Sequence, residues 1–342
     1  MIGIGLIGYG YWGPNLARCF SETPDCRLVA IAEMSPAAQA RAARRHPGAR
    51  ISPNWKELIA DPDVDAVAIA TPVQSHYELG RAALRAGKHV LIEKPITETA
   101  AQASELVEDA SARHLVLLVD HTFCFTPAIR KLRELIGDGT LGDIYYYISN
   151  RMNLGIFQND VDVIWDLAVH DIAILHYCLG SRPVAVSASG ASHVLGRPAN
   201  MAHVTLFFEH GFIADLNVNW LSPVKIRQTI VGGSERMVVY DDLEQSEKLK
   251  IYDSGVRLSD DPSEIHRLMV GYRIGDMVAP RLGTGEALLA ETAHFVDCIQ
   301  TGIPPVTDGE MGLQVVKVLE AASQSMRQRG QPIEFKQIRV PS

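Results

Sequence analysis

The chain has 342 residues, 47% of them apolar and 21% charged, with a net charge of −8 and five cysteines (19, 26, 124, 178 and 298). That length suits two domains, and that composition excludes a disordered, collagen-like or coiled-coil chain. The acidic balance argues against nucleic acid as a partner, the want of an ~18-residue apolar run against a membrane span, and cysteines without CxxC or zinc spacing for a reduced, cytoplasmic protein with no metal.

In chain order, Ile2–Ile7 is a short apolar run that lacks a basic flank and reads straight into a glycine turn, so it is a strand and not a signal segment. The turn is Gly8-Tyr9-Gly10-Tyr11-Trp12-Gly13, and it opens a helix over Asn15–Ser21. Between a strand and a helix this GxGxxG pattern reads as a dinucleotide-binding turn. Gly8 permits the bend, Gly10 lets backbone approach a pyrophosphate, and Gly13 allows close helix–strand packing. Pro14 falls in the first helical turn, where a missing N–H costs nothing. The helix N-terminus then offers free N–H groups to a diphosphate.

Strand Arg27–Ala32 ends at Glu33, twenty residues after Gly13. An acid there accepts from the adenosine ribose 2′-hydroxyl and repels a 2′-phosphate. With Met34, Ser35 and Pro36 following and no nearby cation, the cofactor is expected to be NAD. Helix Pro36–His46 carries Arg41, Arg44 and Arg45 on a solvated face. Strands Val64–Ala70, His89–Ile92 and Val116–Val119 then alternate with helices Ser75–Ala86 and Ala100–Arg113. That alternation means βαβ units and a parallel, doubly wound sheet. Lys94, in Glu93-Lys94-Pro95, stands at the carboxyl end of a strand, the edge where such sheets bind ligands. His76 and His121 follow strand ends and belong to the same expected cleft.

From about residue 123 the pattern changes. Helix Pro127–Ile136, strand Ile144–Arg151 and a long amphipathic helix Val161–Cys178 are followed by strand-like runs at Val184–Gly190, His203–Glu209, Gly211–Val218, Lys225–Gly232 and Arg236–Tyr240. Helices Gly285–Gln300 and Gly309–Arg329 close the chain. These elements predict an α+β second domain on a mostly antiparallel sheet, with domains at 1–122 and 123–342. Closing helices cannot cover both faces of that sheet, so an uncovered apolar face is expected to join a homodimer or homotetramer. Asp166 and His170 lie four apart on one helix face, where a carboxylate raises the imidazole pKa and helps orient the ring. Asp171 reads either as the orienting acid or as a surface group. Arg151, in Asn150-Arg151-Met152-Asn153, reads either as a bidentate ligand for a substrate anion or as an edge-strand charge.

These residues resemble the Gfo/Idh/MocA family of glucose–fructose oxidoreductases, inositol dehydrogenases and their relatives. The resemblance rests on Gly8–Gly13, Ala70-Thr71-Pro72, Ala86-Gly87-Lys88-His89-Val90, Glu93-Lys94-Pro95 and the Asp166/His170 pair, and it spans nearly the whole chain. It implies a Rossmann domain followed by an α/β domain whose open sheet makes the oligomer contact. It implies that Lys94 hydrogen-bonds the reacting hydroxyl, that His170 accepts its proton, and that Asp166 positions substrate or supports the histidine. Thr71 and Pro72 are then expected on the adenosine side of the cofactor, with Glu93, Lys94 and Trp165 on the nicotinamide side. The run Tyr9 to Asn15 resembles the nucleotide-sugar 3-dehydrogenase branch, which implies a UDP-N-acetylhexosamine or its uronate as substrate, held by Arg151 and Asn153. An inositol or free-sugar dehydrogenase and a non-catalytic dinucleotide-binding regulator are the alternatives; Lys94, Asp166 and His170 together favour an enzyme.

Overall fold

The structure, a computed structural model, describes residues 1–155, 161–253 and 275–335. The chain divides into two compact units, Met1–Thr126 with Thr284–Lys317, and Pro127–Gly283 with Val318–Ser342. The sequence predicts a single boundary at 122/123, and the later return to the first unit is not legible in it. The return occurs because Leu288, Phe295 and Val296 of the helix Ala287–Thr301 are apolar and join the core formed by Ile4, Leu6, Leu16 and Phe20.

In the first unit, β1 (Ile2–Ile7), β2 (Cys26–Ala32), β3 (Arg50–Ser52), β4 (Ala66–Ile69), β5 (His89–Glu93) and β6 (Leu117–Asp120) form a parallel sheet in the order β3-β2-β1-β4-β5-β6. Every residue of β1, β4 and β6 is buried. Continuous apolar strands of this kind need helices on both faces. Those helices include α1 (Gly13–Glu22), α2 (Pro36–Arg45), α3 (Trp55–Ala60), α4 (His76–Arg85) and α5 (Ala100–Ala112). The strand order reverses between β1 and β4. Ligands of doubly wound sheets bind at the carboxyl ends of the strands beside such a reversal.

The second unit begins with α6 (Pro127–Gly137) and β7 (Ile144–Leu154). The predicted Val161–Cys178 helix is two structures: a π-helical turn at Ile164–Ala168 and then α7 (Val169–Leu179), which ends at Gly180 in the left-handed region. The strands that follow are β8 (Ala185–Ala191), β9 (Met201–Phe207), β10 (Ile213–Asn219), β11 (Leu221–Gly233), β12 (Met237–Asp241), β13 (Leu249–Tyr252), β14 (Met277–Val278) and β15 (Ile333–Glu334). Among the described residues they and β7 build a nine-stranded sheet in the order β14-β13-β12-β11-β7-β10-β9-β8-β15, antiparallel except where β7 pairs β10. In β9 and β10 the residues alternate. Ala202, Val204, Leu206, Ala214, Leu216 and Val218 are buried, while His203, Thr205, Asp215 and Asn217 line the other face. On these two strands that other face is mixed, since Met201, Phe207 and the exposed Ile213 share it with the polar groups. No helix of the described residues is long and apolar enough to cross a membrane.

Candidate active site

The glycine turn has the geometry its three glycines demand. Gly8 adopts φ +97°, and a Cβ there would lie 2.5 Å from the Ala70 carbonyl oxygen. A Cβ on Gly13 would lie 2.2 Å from the Gly8 carbonyl oxygen, so only glycine lets α1 start against the turn. Gly10 differs. Among the described residues no atom lies within 4 Å of where its Cβ would be. None of the described residues requires its lack of a side chain, which fits the close approach of a diphosphate from outside. The start of α1 is also open to an anion: among the described residues no side chain caps it, and no acid lies in its first turn. The residues present thus fit a dinucleotide.

Around this turn the fold fixes the groups the sequence singles out. Glu33 is half-buried at the end of β2; its Oε2 accepts from the Tyr9 amide at 2.6 Å and its Oε1 from the Ser35 amide at 2.7 Å. The carboxylate is held beside the turn, with lone pairs left for a ribose hydroxyl. Tyr11 is 92% exposed. Trp12 packs on the core and donates its indole N–H to Asp120 Oδ2 at 2.8 Å, tying the turn to the end of β6. Thr122 donates its hydroxyl to the other oxygen of Asp120.

At the ends of β4 and β5, Thr71 is half-buried and Pro72 exposed, while Lys94 is half-buried and joined to Pro95 by a cis peptide bond. His76 takes a different place from the one expected of a cofactor ligand. It is buried, with Nδ1 2.9 Å from the Pro95 carbonyl oxygen and Nε2 2.8 Å from that of Thr71. It braces the Thr71-Pro72 turn against the Lys94-Pro95 turn, and its burial pushes its pKa down. His121 is buried behind the end of β6. Glu93 is the register partner of Asp120, and burial together with that neighbour's charge pushes its carboxyl well above the usual range. Glu291, buried on the helix Ala287–Thr301, is raised for the same reasons, burial first and Asp120 second.

In the second unit, the π-helical turn and α7 carry Asp166 and His170, both half-buried. Asp162 Oδ1 accepts from the Ile164 and Trp165 amides at 2.9 and 3.2 Å, which starts the turn; the Val169 amide bonds back to Ile164 O, five residues earlier. Such wide turns gather at functional sites. The Trp220 indole N–H, at the end of β10, donates to Asp166 Oδ2 at 3.0 Å. The two residues are 54 apart in sequence, so no spacing pattern announces the contact. The Trp165 indole N–H donates to Ser323 Oγ at 2.9 Å within the same unit, which commits that edge of the ring.

Arg151 is the clearest departure from expectation. It sits in β7, at the centre of the sheet, and not on an edge. Its Nε and Nη2 donate to Asp171 Oδ2 and Oδ1, each at 2.9 Å, and both side chains are at most 5% exposed. Burial works against the guanidinium's charge, but Asp171 overcomes it and holds the pKa above its ordinary value. A buried fork already filled by a carboxylate is not a docking point for a substrate anion. The reading of Arg151 as a substrate ligand therefore gives way to a structural one, and Asp171, buried against it, is not a surface group. Asn150 accepts a long 3.4 Å hydrogen bond from Asn217 Nδ2, and Asn153 is half-buried further along the strand.

Comparison with known proteins agrees with this geometry. Residues 2–121 match the Gfo/Idh/MocA model described as an oxidoreductase family with an NAD-binding Rossmann fold, and residues 133–335 match that family's C-terminal alpha/beta domain. The chain is 30% identical to UDP-N-acetylglucosamine 3-dehydrogenase of Acidithiobacillus ferrooxidans, over 91% of this chain and 93% of that protein. A solved structure of the enzyme superposes with a TM-score of 0.81 at 28% identity, covering 95% of this chain and 98% of that one. Myo-inositol 2-dehydrogenase of Thermotoga maritima is 24% identical over 95% of this chain and 96% of its own length.

Proposed function

Because the chain belongs to the Gfo/Idh/MocA oxidoreductase family, we propose that it is an NAD-dependent sugar dehydrogenase whose substrate is a UDP-linked N-acetylhexosamine, or its uronate, oxidised at C3. The observation that carries the substrate is the 30% identity to a UDP-N-acetylglucosamine 3-dehydrogenase across nine-tenths of both chains. Glu33 and the glycine turn favour NAD as the form of dinucleotide used.

Bound NAD supplies the hydride acceptor, and the chain's own share is to bind, orient and move a proton. Gly8, Gly10 and Gly13 hold the diphosphate, Glu33 the adenosine ribose, and Thr71, Pro72 and Glu93 flank the rest of the dinucleotide. Lys94 donates to the oxygen of the reacting hydroxyl and stabilises it as its proton leaves. His170 takes that proton, and Asp166 supports the resulting imidazolium. Asn153 contributes a neutral donor to the sugar.

One finding favours a second reading. The commitment of Arg151 to Asp171 removes the cation expected for a diphosphate. An inositol or free sugar needs only neutral hydrogen bonds, and an inositol dehydrogenase is among the relatives. The test is NADH formation at 340 nm with UDP-N-acetylglucosamine, its uronate and myo-inositol, assayed in parallel. Turnover of either UDP-sugar, with little on inositol, is the expected result. Turnover of inositol alone overturns the first reading in favour of the second.

A further inference from the structure

We propose that Trp220 is a positioning residue for the reaction, aiming the Asp166 carboxylate through its indole N–H. The proposal rests on the dehydrogenase reading above, because it takes Asp166 to act there. Three observations carry it.

The indole N–H donates to Asp166 Oδ2 at 3.0 Å, a charge-assisted geometry. Trp220 is itself immobilised: it is 1% exposed, its amide donates to Asn200 O at 2.9 Å, and its carbonyl accepts from the Gly155 amide at 3.1 Å. Gly155 is fitted to the ring, since a Cβ there would lie 2.8 Å from Trp220 Cδ1. A donor fixed from the ends of β7 and β10 thus points at the residue one helical turn before His170. Asp166 lies in the π-helical turn, ahead of the regular helix α7, and such turns gather at functional sites. An external fixed donor supplies the direction of its carboxylate. On the other side of His170, the Arg151–Asp171 pair fastens the start of α7 to β7. The acid–base segment is therefore tied to the sheet on both sides of the histidine, and the tie on the Asp166 side bonds directly to the carboxylate that supports it.

The experiment compares Trp220→Phe, which keeps most of the ring and removes the donor, in the wild-type and Asp166→Ala backgrounds. It uses NAD with whichever sugar of the panel is turned over. In the wild-type background kcat is expected to fall about ten- to a hundredfold, the scale of one lost hydrogen bond to a charged group. KM and NAD affinity should move less than twofold. In the Asp166→Ala background the same change should alter kcat less than twofold, because the residue acts through Asp166. An equal loss in both backgrounds, or none in the wild-type background, overturns the proposal.

A second readout is independent of turnover. The indole N–H resonance of Trp220, assigned by its disappearance in Trp220→Phe, should shift in Asp166→Ala; an unmoved signal overturns the contact itself. Full turnover by Asp166→Ala or His170→Asn would instead overturn the dehydrogenase assignment of these residues, and with it the role of Trp220, while leaving the resonance shift intact.

Discussion

Glu33 is fixed by two backbone amides, so it cannot swing away to admit a phosphate on the adenosine 2′-oxygen without abandoning both. Like-charge contact and a lost acceptor together oppose NADPH by about 1.4 kcal/mol or more, a tenfold ratio in affinity. NADH is expected to bind at least tenfold tighter than NADPH in a fluorescence titration, and Glu33→Ala should narrow the gap. Equal affinities in the wild type would remove Glu33 from the recognition of the ribose. Residues such as Glu33 and the three glycines are legible in the sequence because their chemistry is local: a turn, a spacing, a strand end. His76, Arg151 and Trp220 are not, since each is defined by a partner brought near only by folding. A histidine after a strand end looks the same whether it faces a ligand or, as His76 does, two carbonyl oxygens of its own chain.

The tie between β7 and α7 decides how firmly the element bearing His170 is seated. Removing one partner of a buried ion pair leaves the other charge uncompensated and costs about 3–5 kcal/mol. Arg151→Met is therefore expected to lower the unfolding free energy of the second unit by that amount in urea denaturation, and to leave NAD affinity nearly unchanged. A loss confined to the KM for a UDP-sugar, with stability intact, would restore Arg151 as a substrate ligand. Element by element, the sequence reads well where periodicity is long. The buried strands of the first unit and the alternating strands β9 and β10 follow directly from period two or from continuous apolar runs. It reads poorly at β3 and α3, which are too short for a period to show. It also misses the π-helical turn, whose apolar pattern passes for that of an ordinary helix.

For the molecule as a whole, the first unit is assembled from two stretches of sequence, Met1–Thr126 and Thr284–Lys317. A fragment ending at 126 lacks Leu288, Phe295 and Val296, each fully or almost fully buried. At about 1.5–3 kcal/mol per side chain the loss is about 5–9 kcal/mol, comparable with the whole stability of a typical domain. It also lacks Thr292, whose hydroxyl meets that of Thr23 at 2.8 Å inside the core. The fragment 1–126 is expected to be largely unfolded by circular dichroism and to bind no NAD; a cooperative melting transition would show that the returning segment is dispensable. The same discontinuity has a consequence for the protein's birth on the ribosome. At about 5–20 residues per second, the segment that completes the first unit emerges some ten to forty seconds after residue 126. During that interval the nascent first unit leaves open the surface around Phe20 of α1 that Phe295 will cover, so chaperone capture should fall off only once the last helices are made.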